Sequence, residues 1–559
     1  MDCHWLVNRT NPEFLTYLSE KASISRISAQ ILVNRGIRDA ASIMDFLAPS
    51  LENLHDPFLL PDMEKAVKRI REAVKNNETV FIHGDYDADG ITSTSLLVSI
   101  LTGLGLRTLY HIPNRITEGY GFSEKGIELA RVCGASLIIT VDCGISSTEE
   151  VEKARSFGID VIITDHHEPP EELPDALAVI DPHRSDSDYP FKYLAGVGVA
   201  FKLVQALVKW EDYEDLLDLV AIGTVADSVP LIGENRIIVT HGLIGLNKRE
   251  NRAGIRALRN TANISYGLRS GHLSFRIIPR INAVGRLDDA NGAVELFLTH
   301  DKVKAEGLAS ILEDHNRERQ KISDFVLRSA LEMIDSENPD RAIVLSSPKW
   351  HPGVIGIAAS RLVEIFYRPV FLFSENGSSA KGSARSISPF HLFRGISDCS
   401  DLLIDFGGHR HAAGISILTG NLPAFRERIN HVVQRGLGDK DMIPTFEIDA
   451  AVKLSDIDFD FIKDLDRLEP FGKSNEEPVF GSKGVEVLEH RVVSNNHLKM
   501  KLRQDGVIID SIGFGMGDLA ESIKLDPYVD VAFVAGINEW NGTRNLQLNL
   551  KSVRPCGHH

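Results

Sequence analysis

Five short runs rich in β-branched and apolar residues lie between residues 79 and 182, and they constrain the fold more than any other feature. They read "TVFIHGD", "RTLYHIP", "ASLIITVD", "DVIITD" and "ALAVIDP". Helical segments such as "ITSTSLLVSILTGLG" and "STEEVEKARSFG" separate most of them. Strands that alternate with helices predict a parallel sheet covered by helices on both faces. We therefore expect an α/β protein.

The chain has 559 residues, which is enough for several domains. Residues 1–75 carry helical periodicity, residues 76–299 contain the predicted parallel sheet, and residues 300–338 read as one long, charged, amphipathic helix typical of a connector. Residues 339–440 form a second, smaller α/β unit. Residues 441–559 contain short strands, turn signals and few helices, which favours a small β-barrel.

The overall charge gives no sign of nucleic-acid binding, because the formal net charge is −17. It does not exclude such binding, since a local basic groove is sufficient, and acidic clusters suit divalent cations. The five cysteines are scattered without CxxC spacing, which disfavours disulfides and zinc and favours a reducing compartment. The N-terminus does not resemble a signal peptide, and no apolar run is long enough to cross a bilayer. We therefore expect a cytoplasmic protein without membrane contact.

The stretch "DYDADG", residues 85–90, resembles a calcium loop. An EF-hand needs a glutamate at loop position twelve, where this chain has Leu96, and a helix before the loop, where this chain has the strand "TVFIH". In the alternative, the acids lie at the carboxyl end of a parallel strand, where open α/β sheets place their sites. Residues two apart on an extended chain face the same way, so His83, Asp85, Asp87 and Asp89 are expected to converge.

Other acids and histidines follow other apolar segments. "LIITVDCG" ends in Asp142, "VIITDHH" in Asp165, His166 and His167, and "AIGTVAD" in Asp227. One such residue is usually a cap or turn residue, but four occurrences in one sheet favour a site. Mixed carboxylate and imidazole ligands suit Mn²⁺ or Mg²⁺, and their number suits two ions with a shared carboxylate. Such ion pairs catalyse in-line displacement at phosphorus.

Several motifs resemble a known family. "HGDYDADG", "VDCG", "TDHH" and "GTVAD", in this order, resemble the four motifs of the DHH phosphoesterase superfamily. "IPRINAVGRLDDA", "WHPGVIGIAASRL", "KGSARS", "FGGHRHAAG" and "LEPFGKSNEEPVF" are similar to segments of its RecJ branch, the exonucleases specific for single-stranded DNA. The resemblance covers nearly the whole chain. It implies a DHH catalytic domain over 76–299, a connecting helix over 300–338, a DHHA1 substrate-binding domain over 339–440 and an OB-like nucleic-acid-binding domain over 441–559.

The resemblance also implies site residues. The metal ligands are expected to be Asp87, Asp89, Asp142, His166 and Asp227, with His83 and Asp85 at positions that ligate in some relatives and support in others. The remaining catalytic candidates are His167, which ligates or contacts the scissile phosphate, and Asp165, which is expected to orient His166 from behind.

Substrate contacts are expected in four further segments, and for the first of them the family resemblance favours function over incidental placement. In "HIPNRITEGYG", Asn114 and Arg115 are candidates for phosphate and Tyr120 for stacking on a base. Arg280, Asn282 and Arg286 are similar candidates in "PRINAVGR", although an arginine can equally pair with the acids of the site. In "KGSARS", Lys381, Ser383 and Arg385 share one face of a strand and would form a pocket for a terminal 5′-phosphate. "GGHRHAAG" supplies Gly407, Gly408 and His409, although Phe406 replaces the glycine usual before this motif.

The strand-rich C-terminal part concentrates basic residues in "EHRVVSNNHLKMKLRQ". Alternation places the charges on one face, so Arg491, Lys499 and Lys501 are candidates for a nucleic-acid groove. Phe471, Phe514 and Trp540 are aromatic candidates for stacking, although each is more readily explained as a core residue.

We expect a metal-dependent 5′→3′ exonuclease that degrades single-stranded DNA to 5′-mononucleotides in DNA repair and recombination. The family implies single-strand-binding protein and a RecQ-type helicase as partners, and we further expect a monomer. One alternative is a DHH phosphodiesterase acting on short oligoribonucleotides or cyclic dinucleotides, which the barrel disfavours. The other is a catalytically inactive replisome scaffold, which the filled ligand positions disfavour.

Overall fold

The structure is a computed structural model that describes residues 3–115, 117–248, 251–265, 267–287, 289–335, 339–494, 496–540 and 543–556, apart from the side chains of Leu525 and Trp540. The stacking candidate Trp540 therefore has a side chain outside the described residues. Among the described residues, every helix is too short or too polar to cross a lipid bilayer.

The N-terminal part is mostly helical, but it opens with a strand. Its elements are β1 (His4–Val7), α1 (Pro12–Ala22), α2 (Arg26–Asn34), α3 (Ala40–Leu47) and α4 (Met63–Asn76). The purely helical prediction for residues 1–75 is thus wrong at its start, because β1 pairs in parallel with a strand more than 400 residues away, in register His4 to Thr445. Apolar residues of α1 to α3 belong to the core of the C-terminal barrel.

The first sheet has five parallel strands, and their ends define the site described below. They are β2 (Thr79–His83), β3 (Arg107–His111), β4 (Leu137–Val141), β5 (Asp160–Thr164) and β6 (Ala178–Ile180), in the spatial order β3-β2-β4-β5-β6. The direction of strand order therefore changes between β2 and β4, which is where open α/β sheets form a crevice at their carboxyl edge.

Helices cover both faces of this sheet, as predicted. Alternate strand residues enter two different cores: Ile82 and Ile139 face the larger one, and Phe81 and Ile138 face the smaller one. The helices are α5 (Ala88–Gly103), α6 (Glu124–Val132), α7 (Thr148–Ser156), α8 (Gly196–Leu207), α9 (Leu217–Ala226), α10 (Gly233–Leu246), α11 (Ala253–Thr261), α12 (Ser270–His272), α13 (Ile278–Leu287) and α14 (Asn291–Leu298).

One long helix, α15 (Lys302–Met333), joins this unit to the next and confirms the predicted connector. Its first half contributes Ala309 and Leu312 to the core of the first unit. Its second half contributes Val326 and Ala330 to a core of the second unit. Because one rigid element is buried in both cores, it fixes the position of the second sheet relative to the first.

The second unit is a mixed five-stranded sheet with helices. It contains β7 (Ile343–Ser347), α16 (Ile355–Phe366), β8 (Val370–Asn376), β9 (Ser379–Arg385), α17 (Leu392–Ser397), β10 (Leu403–Gly408), β11 (Ala412–Leu418) and α18 (Leu422–Gly436). The strand order is β10-β11-β9-β8-β7; β7 and β8 are parallel, and the other pairs are antiparallel.

The C-terminal unit is a barrel, as predicted. Its elements are β12 (Thr445–Ile448), β13 (Ala450–Ala451), α19 (Phe459–Asp466), β14 (Phe480–Val493), β15 (His497–Gln504), β16 (Val507–Gly513), α20 (Ala520–Leu525), β17 (Tyr528–Trp540) and β18 (Thr543–Pro555). The order β13-β14-β15-β16-β18-β17, with an added β14–β17 pairing, closes five strands on themselves. The whole chain is therefore an α/β protein followed by a small barrel.

Arg236 of α10 ties three parts of the chain together. Its guanidinium lies over the Phe46 ring, 3.7 Å from the centre, and donates to the Phe46 carbonyl at 2.7 Å. It also donates to the carbonyls of Leu468 at 3.0 Å and Glu469 at 2.8 Å, just before the barrel. A buried, planar guanidinium that donates in fixed directions sets both the distance and the orientation of the segments it joins, so it holds the barrel against the first unit.

Candidate metal centre and substrate cleft

Acidic residues meet at the carboxyl edge of the first sheet. Asp85 and Asp87 follow β2, Asp142 follows β4, and Asp165 and His166 follow β5. Since β2, β4 and β5 are adjacent and parallel, their ends lie side by side at the point where the strand order changes direction. Asp227 completes the edge as the residue that ends α9.

Backbone amides hold two of these carboxylates. The Asp87 side chain caps α5, accepting from the amides of Asp89 at 2.9 Å and Gly90 at 3.2 Å. The Asp89 carboxylate accepts from the amides of Gly196 at 2.7 Å and Val197 at 2.8 Å, at the start of α8. These helix N-termini stabilise negative charge and fix the direction of both side chains.

Two glycines allow the close packing of the acids. A Cβ at Gly90 would lie 2.5 Å from the backbone of Asp85, which explains the glycine that ends "DYDADG". A Cβ at Gly196 would lie 2.4 Å from Oδ1 of Asp142. Asp142 itself has φ of 60°, a left-handed conformation that aspartate and asparagine tolerate better than most residues.

The described residues form three groups whose potential ligand atoms lie within 4.8 Å of one another. They are Asp85 with Asp87 and Asp142, Asp89 with His166 and Asp227, and Asp142 with Asp165, His166 and His167. Asp142 and His166 each belong to two groups. Nε2 of His166 lies 3.1 Å from Oδ1 of Asp142, and Nδ1 lies 3.5 Å from Oδ2 of Asp227.

The protein alone leaves this cluster electrostatically unbalanced. Burial and the Asp227 charge raise the pKa of Asp89 to about 7, and burial and the Asp87 charge raise the pKa of Asp227 to about 7. Burial and the charge of Asp89 hold the pKa of Asp142 well above its usual range. Oδ1 of Asp85 is buried without a hydrogen-bond partner among the described residues. Oxygen-rich ligands with one imidazole fit hard divalent cations such as Mn²⁺ or Mg²⁺.

His83 does not converge with the acids, contrary to our prediction. Its ring packs 5.1 Å from Phe122, and Nε2 accepts from the Ser123 amide at 3.2 Å. Burial lowers the pKa of His83 to about 3, so the ring is neutral. The chain turns at Gly84, so the alternation of strand β2 does not continue to Asp85, and His83 keeps the side of the sheet that Phe81 faces.

Asp165 orients a different ring from the one we predicted. Its Oδ1 lies 2.7 Å from Nδ1 of His167 and accepts from the backbone amide of His166, also at 2.7 Å. Its Oδ2 accepts from the Ile145 amide at 2.9 Å. Burial alone would lower the pKa of His167, but the bond to Asp165 outweighs it and raises that pKa to about 9. The His167 ring is therefore a fixed cation beside the cluster.

The loop after β3 brings Tyr120 and Arg115 to the site. The Tyr120 hydroxyl donates to the Asp142 carbonyl at 3.3 Å, and its ring is 56% exposed beside His167. The Arg115 guanidinium lies 5.1 Å from the centre of the Tyr86 ring. Asn114 has a largely local role, since its Oδ1 accepts from the Thr117 amide at 3.1 Å.

The three candidates of "PRINAVGR" have different roles in the structure. Arg280 pairs with Glu313 of α15 at 2.7 Å, and Asn282 accepts from the Ala88 amide at 2.7 Å. Both therefore brace the fold around the acids and are absent from the lining of the cleft. Arg286 reaches the cleft and donates to the Gly353 carbonyl at 3.1 Å. The segment forms helix α13, so helix packing and not strand alternation decides which side chains point where.

A cavity of about 390 Å³ lies between the first unit and the second sheet. The described lining contains no acidic residue and four basic ones, namely Arg115, Arg286, Lys381 and Arg385. Ser383 and Gly408 also line it, whereas Gly407 and His409 do not. His409 instead closes the β10–β11 turn, its amide donating to the Ala412 carbonyl at 2.8 Å.

The barrel carries the predicted basic face on β14 and β15. Leu498, Met500 and Leu502 point into the core, and Lys499 and Lys501 point outward. Arg491 lies directly opposite Lys499, and Lys501 pairs with Glu489 at 3.3 Å. Of the aromatic candidates, Phe471 packs against the barrel core, and Phe514 is 57% exposed beside His497.

Comparisons with known proteins agree with this arrangement. Family models match in the order DHH family, N-terminal domain, over residues 79–224, DHHA1 domain over 327–435, and RecJ OB domain over 448–552. A protein of Bacillus subtilis strain 168 named single-stranded-DNA-specific exonuclease RecJ is 40% identical over 555 residues, covering 98% of this chain and 70% of the relative. This chain belongs to the RecJ family. The RecJ of Escherichia coli K12 is 35% identical over 96% of each chain.

Solved RecJ structures have the same fold. The crystal structure of RecJ from Thermus thermophilus in complex with Mn²⁺ matches with a TM-score of 0.85 and 31% identity, covering 99% of this chain and 80% of that one. The same protein in complex with Mg²⁺ matches with a TM-score of 0.81.

Sequence reasoning missed the amides of Gly196 and Val197 and the loop residue Glu118, because their roles depend on tertiary contacts without a local pattern.

Proposed function

We propose that this RecJ-family chain is a metal-dependent exonuclease that degrades single-stranded DNA from its 5′ end to 5′-mononucleotides. The observation that carries the proposal is the position of a carboxylate cluster, with Asp142 and His166 shared between ligand groups, next to a cavity lined by four basic residues. The relatives' name, single-stranded-DNA-specific exonuclease, and the Thermus structures in complex with Mn²⁺ and with Mg²⁺ support exonuclease action on single-stranded DNA with a divalent cation. The overlapping ligand groups support two such ions.

Metal ligation is assigned to Asp87, Asp89, Asp142, His166 and Asp227, with Asp85 as an additional carboxylate. When bound, a pair of divalent cations supplies a water nucleophile at neutral pH and stabilises the attacking and leaving oxygens. The helix N-termini hold the carboxylates of Asp87 and Asp89 in fixed directions, so little reorganisation is needed when the charge is neutralised. We leave His83 out of the ligand set because its Nε2 is engaged by Ser123.

The remaining residues of the cluster act on the substrate. His167, held by Asp165, presents a positive charge toward the position of a scissile phosphate. Tyr120 anchors the loop over the cluster through its hydroxyl and offers an exposed ring for the terminal base. Stacking of a base on an aromatic ring is sequence-tolerant, which suits a non-specific exonuclease.

The polarity of the reaction follows from the basic cavity. Arg115, Arg286, Lys381, Ser383 and Arg385 converge on a space suited to a terminal 5′-phosphate. An anion held there would place the first phosphodiester over the metal cluster. The 3′ end of a strand has no comparable terminal phosphate, so entry from the 5′ end is favoured.

We assign residues 76–299 to catalysis, 300–338 to the connecting helix, 339–440 to substrate binding and 441–559 to backbone binding through Arg491, Lys499 and Lys501; residues 1–75 brace this arrangement. We further propose that the protein acts as a cytoplasmic monomer in DNA repair and recombination. Single-strand-binding protein and a RecQ-type helicase would supply its substrate, as the family resemblance implies.

The alternatives make different demands on the same site. A phosphodiesterase for short oligoribonucleotides or cyclic dinucleotides has no use for a closed barrel with an outward basic face. An inactive scaffold would not need carboxylates whose mutual repulsion raises their pKa. Both features favour a nuclease that acts on long strands.

The test is a degradation assay on long single strands labelled at either end, with Mn²⁺. We expect mononucleotides from the 5′ label first, no such release from the 3′ label, and loss of activity on chelation. Activity confined to dimers through pentamers, or to cyclic dinucleotides, would contradict the proposal. Persistence of activity in chelator would contradict the metal-dependent mechanism.

A further inference from the structure

The loop between β3 and α6 carries Arg115 into the cavity, and its described residues form no helix or strand. Two of its residues, Gly119 and Gly121, have φ of 87° and 95°, which only glycine adopts readily, so the loop sequence itself restricts the backbone little. The guanidinium of Arg115 also approaches like charges. Burial and the Arg115 charge lower the pKa of Arg286 to about 10 and also lower that of Arg385. Arg115, Arg286 and Arg385 line one cavity, so repulsion among them favours withdrawal of Arg115 unless other contacts hold the loop.

Glu118 opposes that withdrawal from inside the loop. Its side chain is 7% exposed, and both carboxylate oxygens are engaged. Oε1 accepts from the amide of Asn114 at 3.0 Å and from Nζ of Lys125 at 3.1 Å. Oε2 lies 2.8 Å from Nε2 of His111 and accepts from the Ser123 hydroxyl at 3.1 Å.

The pattern of these contacts is what fixes the loop. His111 is the last residue of β3, and Ser123 and Lys125 lie at the start of α6, so one carboxylate is bonded to both ends of the loop and to the amide of Asn114 near its start. The Glu118 amide also donates to the Asn114 carbonyl at 2.8 Å, which closes a ring one residue before Arg115. Burial alone would raise the pKa of Glu118, but the bonds from His111, Asn114 and Lys125 lower it to about 2, so the group is ionised.

We propose that Glu118 is a positioning residue for 5′-end recognition: by fixing the loop it holds Arg115 in the basic cavity, and so sets the preference for a 5′-phosphorylated strand. The proposal rests on the assignment of that cavity to the 5′-phosphate. Glu118 does not itself contact the substrate. Tyr120 on the same loop is held separately by its hydroxyl bond to the Asp142 carbonyl, so the effect of Glu118 is expected on substrates that use Arg115.

The test compares one oligothymidylate with a 5′-phosphate or a 5′-hydroxyl, in wild type, Glu118→Gln, Arg115→Gln and the double variant. We expect Glu118→Gln to lower kcat/KM for the 5′-phosphorylated strand about tenfold through KM, the effect of one displaced charged contact. For the 5′-hydroxyl strand we expect little change. In the Arg115→Gln background, Glu118→Gln should add almost nothing, because the two residues act through one contact.

A matched control is Glu128→Gln on α6, which removes an exposed carboxylate paired with Arg131 and should leave the ratio between the two substrates unchanged. Glu118→Asp keeps the charge but is one methylene shorter, so it is expected to fold and to lose part of the preference. Equal losses on both substrates, or additive effects with Arg115→Gln, would overturn the role of Glu118. Absence of any 5′-phosphate preference in wild type would instead contradict the cavity assignment.

Discussion

The two sides of the cleft carry opposite charges, and each is unbalanced when considered alone. On one side, buried carboxylates at the edge of the parallel sheet raise one another's pKa. On the other side, burial and the charge of Arg115 lower the pKa of Arg286 and Arg385. Each cluster would be stabilised by a counter-ion, a divalent cation on one side and a phosphate on the other.

The clusters differ in how the fold holds them in place. The acids lie on strand ends and are fixed by amides of α5 and α8, so their geometry is built into the secondary structure. The basic residues come from a loop, a helix and strand β9, so their convergence depends on how the two units are packed together. We therefore expect chemistry to depend mainly on the first cluster and substrate selection on the second.

The largest expected effect comes from the shared carboxylate. Asparagine tolerates the left-handed backbone of Asp142 and has nearly the same size, so Asp142→Asn should fold. We expect kcat with Mn²⁺ to fall by on the order of 10³-fold or more, as for other central catalytic groups. Above a pH of about 7, where Asp89 and Asp227 are ionised, the metal-free variant should melt higher than metal-free wild type, because it lacks one buried carboxylate of the cluster. Asp175→Asn, an exposed aspartate, is the control; near-normal activity in Asp142→Asn would contradict the shared-ligand role.

Substitution of a residue in the basic cluster should change substrate selection and leave the chemical step largely unaffected. We expect Arg385→Gln to raise KM for a 5′-phosphorylated strand about 10- to 100-fold, with kcat at saturation changed little, since a charged contact to an anion is lost. Arg394→Gln, an exposed arginine on α17, is the matched control. A fall in kcat without a change in KM would mean that Arg385 belongs to the chemical step.

The acid cluster also predicts how stability depends on pH and metal. The pKa values of Asp89 and Asp227 rise from 3.8 to about 7 on folding, so between these values the folded state binds more protons than the unfolded state. Stability of the metal-free protein should therefore fall as pH rises from about 4 to about 7. Mn²⁺ at 100 times its Kd should add about 2.7 kcal/mol to the free energy of unfolding at high pH and less at low pH.

Thermal unfolding monitored across this pH range, with chelator or Mn²⁺, checks the prediction. A metal-free stability that increases toward pH 7, or a Mn²⁺ effect independent of pH, would contradict it. Asp142→Asn measured alongside should show a weaker dependence on pH, because it lacks one of the interacting carboxylates.

Most of the first cluster could be predicted from sequence, and the reason is geometric. Parallel strands end at one edge, so acids that follow apolar runs are brought together whatever the loops do, and this located Asp87, Asp142 and His166. His83 was misjudged because the alternation that places strand residues stops where the strand stops. The partner of Asp165 was misjudged because the choice between two adjacent rings depends on local backbone geometry.

The second cluster was harder to predict because it joins distant parts of the chain. Arg385 follows from strand alternation, but Arg280 and Asn282 were assigned to substrate from a segment that forms a helix with its own packing partners. The strand His4–Val7 is another case, since only its pairing with Thr445–Ile448 makes it a strand. Local pattern does not contain such long-range contacts.

The smallest expected effect concerns the barrel. Strand β15 carries one basic residue that faces a like charge and another that is paired with an acid. Lys499 lies opposite Arg491, a like charge, whereas Arg503 is paired with Glu486 at 2.5 Å. If the basic face follows the DNA backbone, Lys499→Gln should reduce the slope of log K against log salt by about 0.7, the value for one phosphate on a single strand. Arg503→Gln should leave the slope nearly unchanged, because Glu486 already balances that charge. Hydrolysis of a substrate too short to reach the barrel should be unaffected in both variants. An unchanged slope in Lys499→Gln would mean that this lysine is not a phosphate contact and that the strand leaves the cleft over another surface. An equal reduction in both variants would mean that Glu486 does not balance the charge of Arg503.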